Sequence, residues 1–159
     1  MDLITTLLLW LHLIGAAALL GTGTGIAFFM WMAHRTARPD IIAAVASIVV
    51  TADAVFTLPA VTLQPISGGL LAWFKGWPLS TGWIVLAVLL YIVTGLFWAP
   101  VVRMQARMRD LAREAVRTAT PLPEAYHQLA RRWFACGVPA FAAVLAILWL
   151  MAAKPDIGW

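Results

Sequence analysis

The feature that most constrains this chain is an uncharged stretch of thirty residues near its start, from Ile4 to Ala33. A helix needs ~20 apolar residues to cross the hydrocarbon core of a bilayer, and this stretch is longer than that. It has no positively charged segment before it, and it exceeds the apolar core of a signal peptide. We therefore expect it to be an uncleaved first membrane span.

Composition places the whole chain in the membrane. Of its 159 residues, 63% are hydrophobic and only 11% are charged, whereas an average soluble domain has about 25% charged residues. Three further apolar segments follow the first, so the chain is predicted to be all-α, a single transmembrane domain over residues 1–159 forming an integral membrane antiparallel four-helix bundle. The predicted spans are 4–33, 41–73, 83–102 and 132–153.

The net charge of +4 is read as membrane topology and not as a nucleic-acid surface. Segment 34–40 holds two arginines and segment 103–132 holds seven, whereas only Lys75 and Lys154 lie on the other side. By the positive-inside rule, both termini face outward from a bacterial inner (cytoplasmic) membrane. The lipid bilayer is then the surroundings of the chain, and no nucleic-acid partner is expected.

Several residues predict where helices begin, end or bend. Asp40 is expected to cap the second helix, and Pro59 and Pro65 are expected kink sites within it. The third span should continue as a basic helical extension over 103–117. A last helix is expected to start near Glu124.

His12 is the one ionisable side chain inside the first stretch, and an intramembrane ionisable residue is a functional candidate. Neutral imidazole is a common metal and haem ligand, so His12 is a candidate cofactor and metal ligand. Gly15, Ala16 and Gly23 share its helical face and would leave space for a bulky group. The alternative is a histidine that is hydrogen-bonded to a neighbouring helix.

Three polar side chains in the second and third spans are further candidates. Asp53 heads a polar stripe that includes Gln64, and it is a candidate proton relay or a neutral or paired acid that bonds another helix. Tyr91 falls at a depth similar to that of His12 and Gln64. Tyr91 is read either as an iron ligand or hydrogen-bond donor, or as a packing residue with a satisfied hydroxyl.

Glycine, histidine and cysteine residues elsewhere in the chain carry further expectations. Gly21 and Gly25 form a G-x-x-x-G motif, which predicts close helix packing inside the bundle or across a homo-oligomer. His34 and His127 are read as interface residues, with a metal site between them as the alternative. Cys136 is the only cysteine, so an intrachain disulfide and a cysteine cluster are excluded.

Three of the predicted spans carry distinctive motifs. The first span opens with a Trp-Leu-His ending at His12, and Gln64-Pro65 lies in the second. The fourth span carries an Arg-Arg-Trp-Phe run, Pro139 and a closing Lys154-Pro155. With these motifs the chain resembles an uncharacterised family of bacterial four-span inner-membrane proteins.

More distantly, the chain resembles the HemJ-type protoporphyrinogen oxidases, which are four-helix membrane proteins that bind haem b. The resemblance implies that His12 corresponds to their first-span histidine. Their third-span lysine position falls near Ala87, and the third span here contains no lysine. The missing lysine counts against oxidase activity. The resemblance still implies that His12 is a ligand of haem b.

These observations together favour an integral membrane protein that binds haem b and has a redox role. The second iron ligand would be Tyr91, Gln64, water or a group from a second subunit. The alternatives are a non-catalytic membrane subunit or scaffold, and a small transporter that uses Asp53 and His12 without a cofactor. No sequence pattern assigns a catalytic residue.

Overall fold

The computed structural model describes residues 2–158, and every regular element in that range is helical. This confirms the predicted all-α class. One of the elements is a short π-helical turn, and the rest are α-helices. They are α1 (Leu3–Arg35), α2 (Pro39–Ala52), the π-turn (Asp53–Thr57), α3 (Leu58–Lys75), α4 (Gly82–Arg117) and α5 (Glu124–Ala153).

Four rods are long and apolar enough to cross a membrane. Helix α2, the π-turn and α3 form one continuous rod, and α1, α4 and α5 are the others. Short loops join consecutive rods, so neighbours run in opposite directions. Four spans were predicted and four are found. We call the end with the α1–α2 and α4–α5 loops the basic end, and the opposite end the terminal end.

Helix α4 extends well past the apolar segment 83–102, because arginine, glutamate, methionine and alanine are good helix formers. The predicted basic extension over 103–117 is therefore the last part of the same helix. The last helix starts at Glu124 as predicted.

The start of α2 differs from the expectation. Pro39 occupies the first helical position, and Arg38 is the residue before it. Asp40 lies in the first turn and forms an exposed ion pair with Arg38 at 2.6 Å. The prediction that Asp40 caps this helix is wrong, because the fixed φ of proline suits the first helical position and the helix starts two residues earlier than predicted.

The π-turn lies directly before Pro59. Proline has no N–H, and its ring crowds the carbonyl four residues earlier, here that of Val55. Widening the helix before the proline relieves this conflict, and the Leu58 N–H donates to the carbonyl of Asp53, five residues back. Pro65, by contrast, lies inside α3 without interrupting the helix.

Two separate clusters of buried apolar side chains hold the rods together. The cluster at the basic end draws on α1, α2, α4 and α5, and that at the terminal end draws on α3, α4 and α5. Their fully buried members are Ile26, Met30, Ala33, Ile42, Ala43, Ala46, Val49, Val101, Met108, Ala112, Tyr126, Ala130 and Trp133 at the basic end, and Ala72, Trp83, Ile84, Ala87 and Leu150 at the terminal end.

Burial in the middle of the bundle differs from one rod to the next. Among the described residues of α4, none between Ala87 and Val101 is buried, and the same holds for the part of α1 between Gly15 and Ile26. The middle of the second rod, by contrast, has buried polar side chains, namely Asp53, Thr57, Gln64 and Ser67. The polar candidates of this rod are therefore more enclosed than those of α1 and α4.

Candidate functional site

His12 is half-buried and makes a hydrogen bond to the neighbouring helix. Its Nδ1 atom lies 2.8 Å from the Oγ atom of Ser67 on α3. The Ser67 hydroxyl also lies 2.8 Å from the carbonyl oxygen of Leu63, which can only accept. The single hydroxyl hydrogen therefore goes to Leu63, and Ser67 accepts from the N–H at Nδ1 of His12. The Nε2 atom of the neutral ring then carries the free lone pair.

A second contact fixes the backbone of α1 at the same level. The Gln64 amide donates to the carbonyl oxygen of His12 over 2.8 Å. The absence of a side chain at Gly15 makes this possible, since a Cβ there would lie 2.6 Å from Nε2 of Gln64. The space that the sequence assigned to a bulky group beside Gly15 is thus filled by Gln64.

Gly68 completes the close approach of the two helices. A Cβ on Gly68 would lie 3.1 Å from Cε1 of His12, so the imidazole packs against the backbone of α3. Sequence analysis missed Ser67 and Gly68 as contacts of His12. A signal for Ser67 was present, because it follows Gln64 by three residues on the same polar stripe.

Tyr91 connects α4 to α3 in this region. Its hydroxyl donates to the carbonyl oxygen of Val61. Val61 lies four residues before Pro65, so its carbonyl has no helical N–H to accept from. Tyr91 supplies the missing donor, as membrane helices with internal proline require. Gln64 itself belongs to α3. His12 and Tyr91, predicted at a similar depth, contact α3 on either side of it, at Ser67 and Val61.

The other predicted residues of the His12 face differ in burial. Ala16 is half-buried, whereas Gly23 is exposed and has no neighbouring atom within 4 Å of a built Cβ. Gly23 therefore lies on the outer surface of α1, about 16 Å along the helix from His12.

Asp53 lies away from His12, about 20 Å along the rod from Ser67 at 1.5 Å per residue. It is the first residue of the π-turn, and only 6% of it is exposed. The side chains of Thr57, Trp98 and Gln105 surround its carboxyl group. The structure therefore separates Asp53 from the His12 site and gives it neighbours of its own.

Comparison with known families places the chain in a family of membrane proteins. Residues 6–155 match the family described as predicted integral membrane protein (DUF2269). The chain belongs to this family. The match confirms the resemblance to an uncharacterised membrane family, and the resemblance of this DUF2269 protein to HemJ-type oxidases stays a prediction. No curated protein and no solved structure matches the chain.

The G-x-x-x-G motif of the DUF2269 protein does not pack inside the bundle. Nothing lies within 4 Å of a Cβ built on Gly21, and a Cβ on Gly25 meets only Phe29 of its own helix. Of the two predicted uses, close packing within the chain is wrong, because this face of α1 turns away from the other rods.

The histidines at the basic end do not form a metal site in the DUF2269 protein. The Nε2 atom of His34 lies 2.8 Å from the Tyr126 hydroxyl, and His127 is exposed. Within residues 2–158, no group of three or more His, Cys, Asp and Glu side chains could hold a metal ion. His34 therefore joins α1 to α5 through Tyr126, and the position of the two histidines at the membrane interface stays a prediction.

Proposed function

We propose that this protein binds haem b through His12 and takes part in a redox reaction in the membrane. The observation that carries the proposal is the hydrogen bond from Nδ1 of His12 to Ser67. It sets the tautomer that leaves Nε2 as a free neutral donor atom. Histidines that bind metals usually donate their other ring N–H to a fixed acceptor, as His12 does here.

The donor chemistry of His12 fits a haem, because a neutral imidazole is a common axial ligand of haem iron. The His12 side chain is only half-buried, so the bundle does not enclose its ring completely.

The roles of the neighbouring residues follow from their contacts. Ser67 orients the imidazole, and the Gln64 amide holds the α1 backbone at His12. Tyr91 holds α4 against α3. We assign Gln64 and Tyr91 to holding the helices in place and not to ligating iron, because both side chains already donate to backbone carbonyls. Haem b, when bound, would supply reversible one-electron chemistry at its iron.

The proposed location follows from charge. The arginine-rich basic end faces the cytoplasm of a bacterium under the positive-inside rule. His12 then lies in the outer half of the inner membrane, with both termini outside. An electron donor or acceptor would reach the site from the membrane or from the outer surface.

The test is a visible absorption spectrum of the protein purified in detergent, with and without added haem. We expect a Soret band in the wild-type protein and its loss in His12→Ala. His127→Ala is the matched control, because His127 is an exposed histidine at the other end of the bundle. A wild-type protein without a Soret band after haem supplementation would eliminate the proposal.

A second candidate function is that of a non-catalytic membrane subunit that assembles through α1. It is favoured by the open face of Gly21 and Gly25, which the chain itself leaves uncovered. In that case native mass spectrometry of the wild-type protein should show a homo-oligomer. Gly21→Leu would abolish this oligomer, whereas Gly69→Leu, at another exposed glycine, would not. The wild-type protein would be colourless.

A further inference from the structure

Buried polar atoms without a hydrogen-bond partner are concentrated at one place in this molecule. Within residues 2–158 there are five such side-chain atoms, and four belong to Asp53 and its three neighbours. The four are Oδ2 of Asp53, Oγ1 of Thr57, Nε1 of Trp98 and Oε1 of Gln105. Buried polar groups normally have partners, so this cluster requires an explanation.

The cluster is deeply enclosed and contains one formal charge. Asp53, Thr57 and Gln105 are exposed by only 6%, 7% and 4%. The groups that act on the Asp53 carboxyl are neutral side chains of the π-turn and α4, and no charged group of the described chain is among them. A buried carboxylate with no opposite charge nearby is unstable unless it binds a proton or a cation.

The four atoms match the hydrogen-bonding capacity of one water molecule. Trp98 Nε1 can only donate, and Thr57 can donate through its hydroxyl. Asp53 Oδ2 and Gln105 Oε1 can accept. A water accepts two hydrogen bonds and donates two, so it can pair all four atoms, and buried waters typically make such bonds.

A metal cation fits these atoms less well. Its oxygen ligands would be Asp53, Thr57 and Gln105, but the N–H of Trp98 would face the cation with its positive end and stay unpaired.

The π-turn that carries Asp53 and Thr57 also favours a functional site here, because such turns inside α-helices are frequent at functional sites.

We propose that Asp53, Thr57, Trp98 and Gln105 bind one water molecule, and that Asp53 takes up and releases a proton through it. A hydronium ion that reaches the bound water gives it one proton and leaves as water, and the bound water passes one of its own protons to Oδ2. One O–H bond breaks on the hydronium and one forms on the carboxylate, and the bound water stays in place. Release reverses the step. The site goes beyond haem binding and does not depend on it.

The position of the site makes access from the basic end the shorter route. Asp53 lies about 21 Å along the rod from Pro39, and further than that from Lys75 at the terminal end. We include in the proposal that the proton enters and leaves on this side, which carries the arginines.

The experiment is infrared difference spectroscopy of the full-length, haem-free protein in lipid nanodiscs during a pH titration. We expect a protonated-carboxyl C=O band that titrates and is absent in Asp53→Asn. Asp40→Asn is the matched control, since Asp40 is an exposed acid paired with Arg38, and it should leave the band unchanged. Trp98→Phe and Gln105→Leu should shift the band, because each removes a partner of the carboxyl–water unit.

The outcomes are decisive in both directions. A titrating band that disappears in Asp53→Asn and shifts with a water isotope exchange supports the site. A carboxylate that never protonates across the titration overturns it. A band that responds to sodium at constant pH also overturns it, in favour of a metal cation. If Asp53→Asn does not fold, the shifts in Trp98→Phe and Gln105→Leu still test the assignment.

Discussion

The hydroxyl of Tyr126 lies 2.8 Å from Nε2 of His34 and joins the first turn of α5 to the last turn of α1. The Nδ1 atom of His34 lies 2.6 Å from the Met30 carbonyl, so Nδ1 carries the hydrogen and Nε2 accepts from Tyr126. Tyr126 is fully buried in the apolar cluster of the basic end. This pair connects the first rod to the last, which are far apart in sequence.

Removal of the Tyr126 hydroxyl should weaken the basic end. Tyr126→Phe keeps the ring and leaves the His34 acceptor unpaired, so we expect the free energy of unfolding to fall by about 1 to 3 kcal/mol. Unfolding in mixed detergent micelles measures the change. His127→Ala, one residue further along, should have little effect, and equal losses in the two variants would contradict the assignment.

Ser67 should control cofactor affinity through His12. In Ser67→Ala the N–H at Nδ1 loses its acceptor, and we expect haem affinity to fall by about 10- to 100-fold, as is typical when such a partner is removed. Titration with haem, followed at the Soret band, gives the dissociation constant. Ser80→Ala, in the exposed α3–α4 loop, is the control. An unchanged affinity in Ser67→Ala would show that the hydrogen bond does not orient a ligand.

A methyl group at Gly15 should disturb the α1–α3 contact. The new Cβ would lie 2.6 Å from the Gln64 amide, so Gln64 must move and lose its bond to the His12 carbonyl. Overpacking of this kind costs roughly 1 to 3 kcal/mol. Gly23→Ala on the same helix has open space and should be neutral or slightly stabilising. Unfolding of the two variants side by side separates packing from helix propensity.

Tyr91 and Pro65 should be energetically coupled. Tyr91→Phe leaves the Val61 carbonyl unpaired, and we expect a loss of about 0.6 kcal/mol and at most about 1.7 kcal/mol, the range for hydrogen bonds between membrane helices. In a Pro65→Ala background, the restored N–H can serve that carbonyl, so Tyr91→Phe should cost less. A double-mutant cycle on unfolding free energy measures this coupling. Strict additivity would count against it.

Stability at low pH should depend on Asp2. The Thr5 N–H, at 2.7 Å, donates to its carboxylate, and this bond holds the pKa of Asp2 below its ordinary value of 3.8. A lowered pKa in the folded state means that the stabilisation is complete above 3.8 and is lost as the pH falls through the folded-state pKa. Asp2→Asn keeps a capping oxygen. The unfolding midpoint of Asp2→Asn should therefore change less than that of the wild type between neutral and acidic pH.

The four rods were predictable because the bilayer imposes local rules on a chain. A stretch of ~20 apolar residues must be helical in hydrocarbon to pair its backbone groups, whatever it packs against. The extension of α4 to Arg117 follows from local propensity as well. The start of α2 at Pro39 was missed because two adjacent signals, proline and aspartate, compete for the helix start.

The candidate site was predictable only in part. The sequence placed His12, Gln64 and Tyr91 at similar depth, and the structure links His12 and Tyr91 to the part of α3 that contains Gln64. It could not show that Gln64 and Tyr91 each serve a backbone carbonyl, or that the gap at Gly15 is filled by a side chain of the same protein. Asp53 was identified as a candidate, whereas Trp98 and Gln105 were not among its expected neighbours.

The sequence by itself determined the membrane location, the number of spans and the ionisable groups inside them, since these depend on hydrophobicity summed along each segment. Only the tertiary structure decided which groups meet: His12 bonds Ser67, Tyr91 bonds Val61, and Gln105 lies beside Asp53. The physical reason is one of scale. A helical wheel predicts how far one helix is shifted along another only to within about one turn, or 5.4 Å. A hydrogen bond requires the relative position of its two groups to be set to within a few tenths of an ångström.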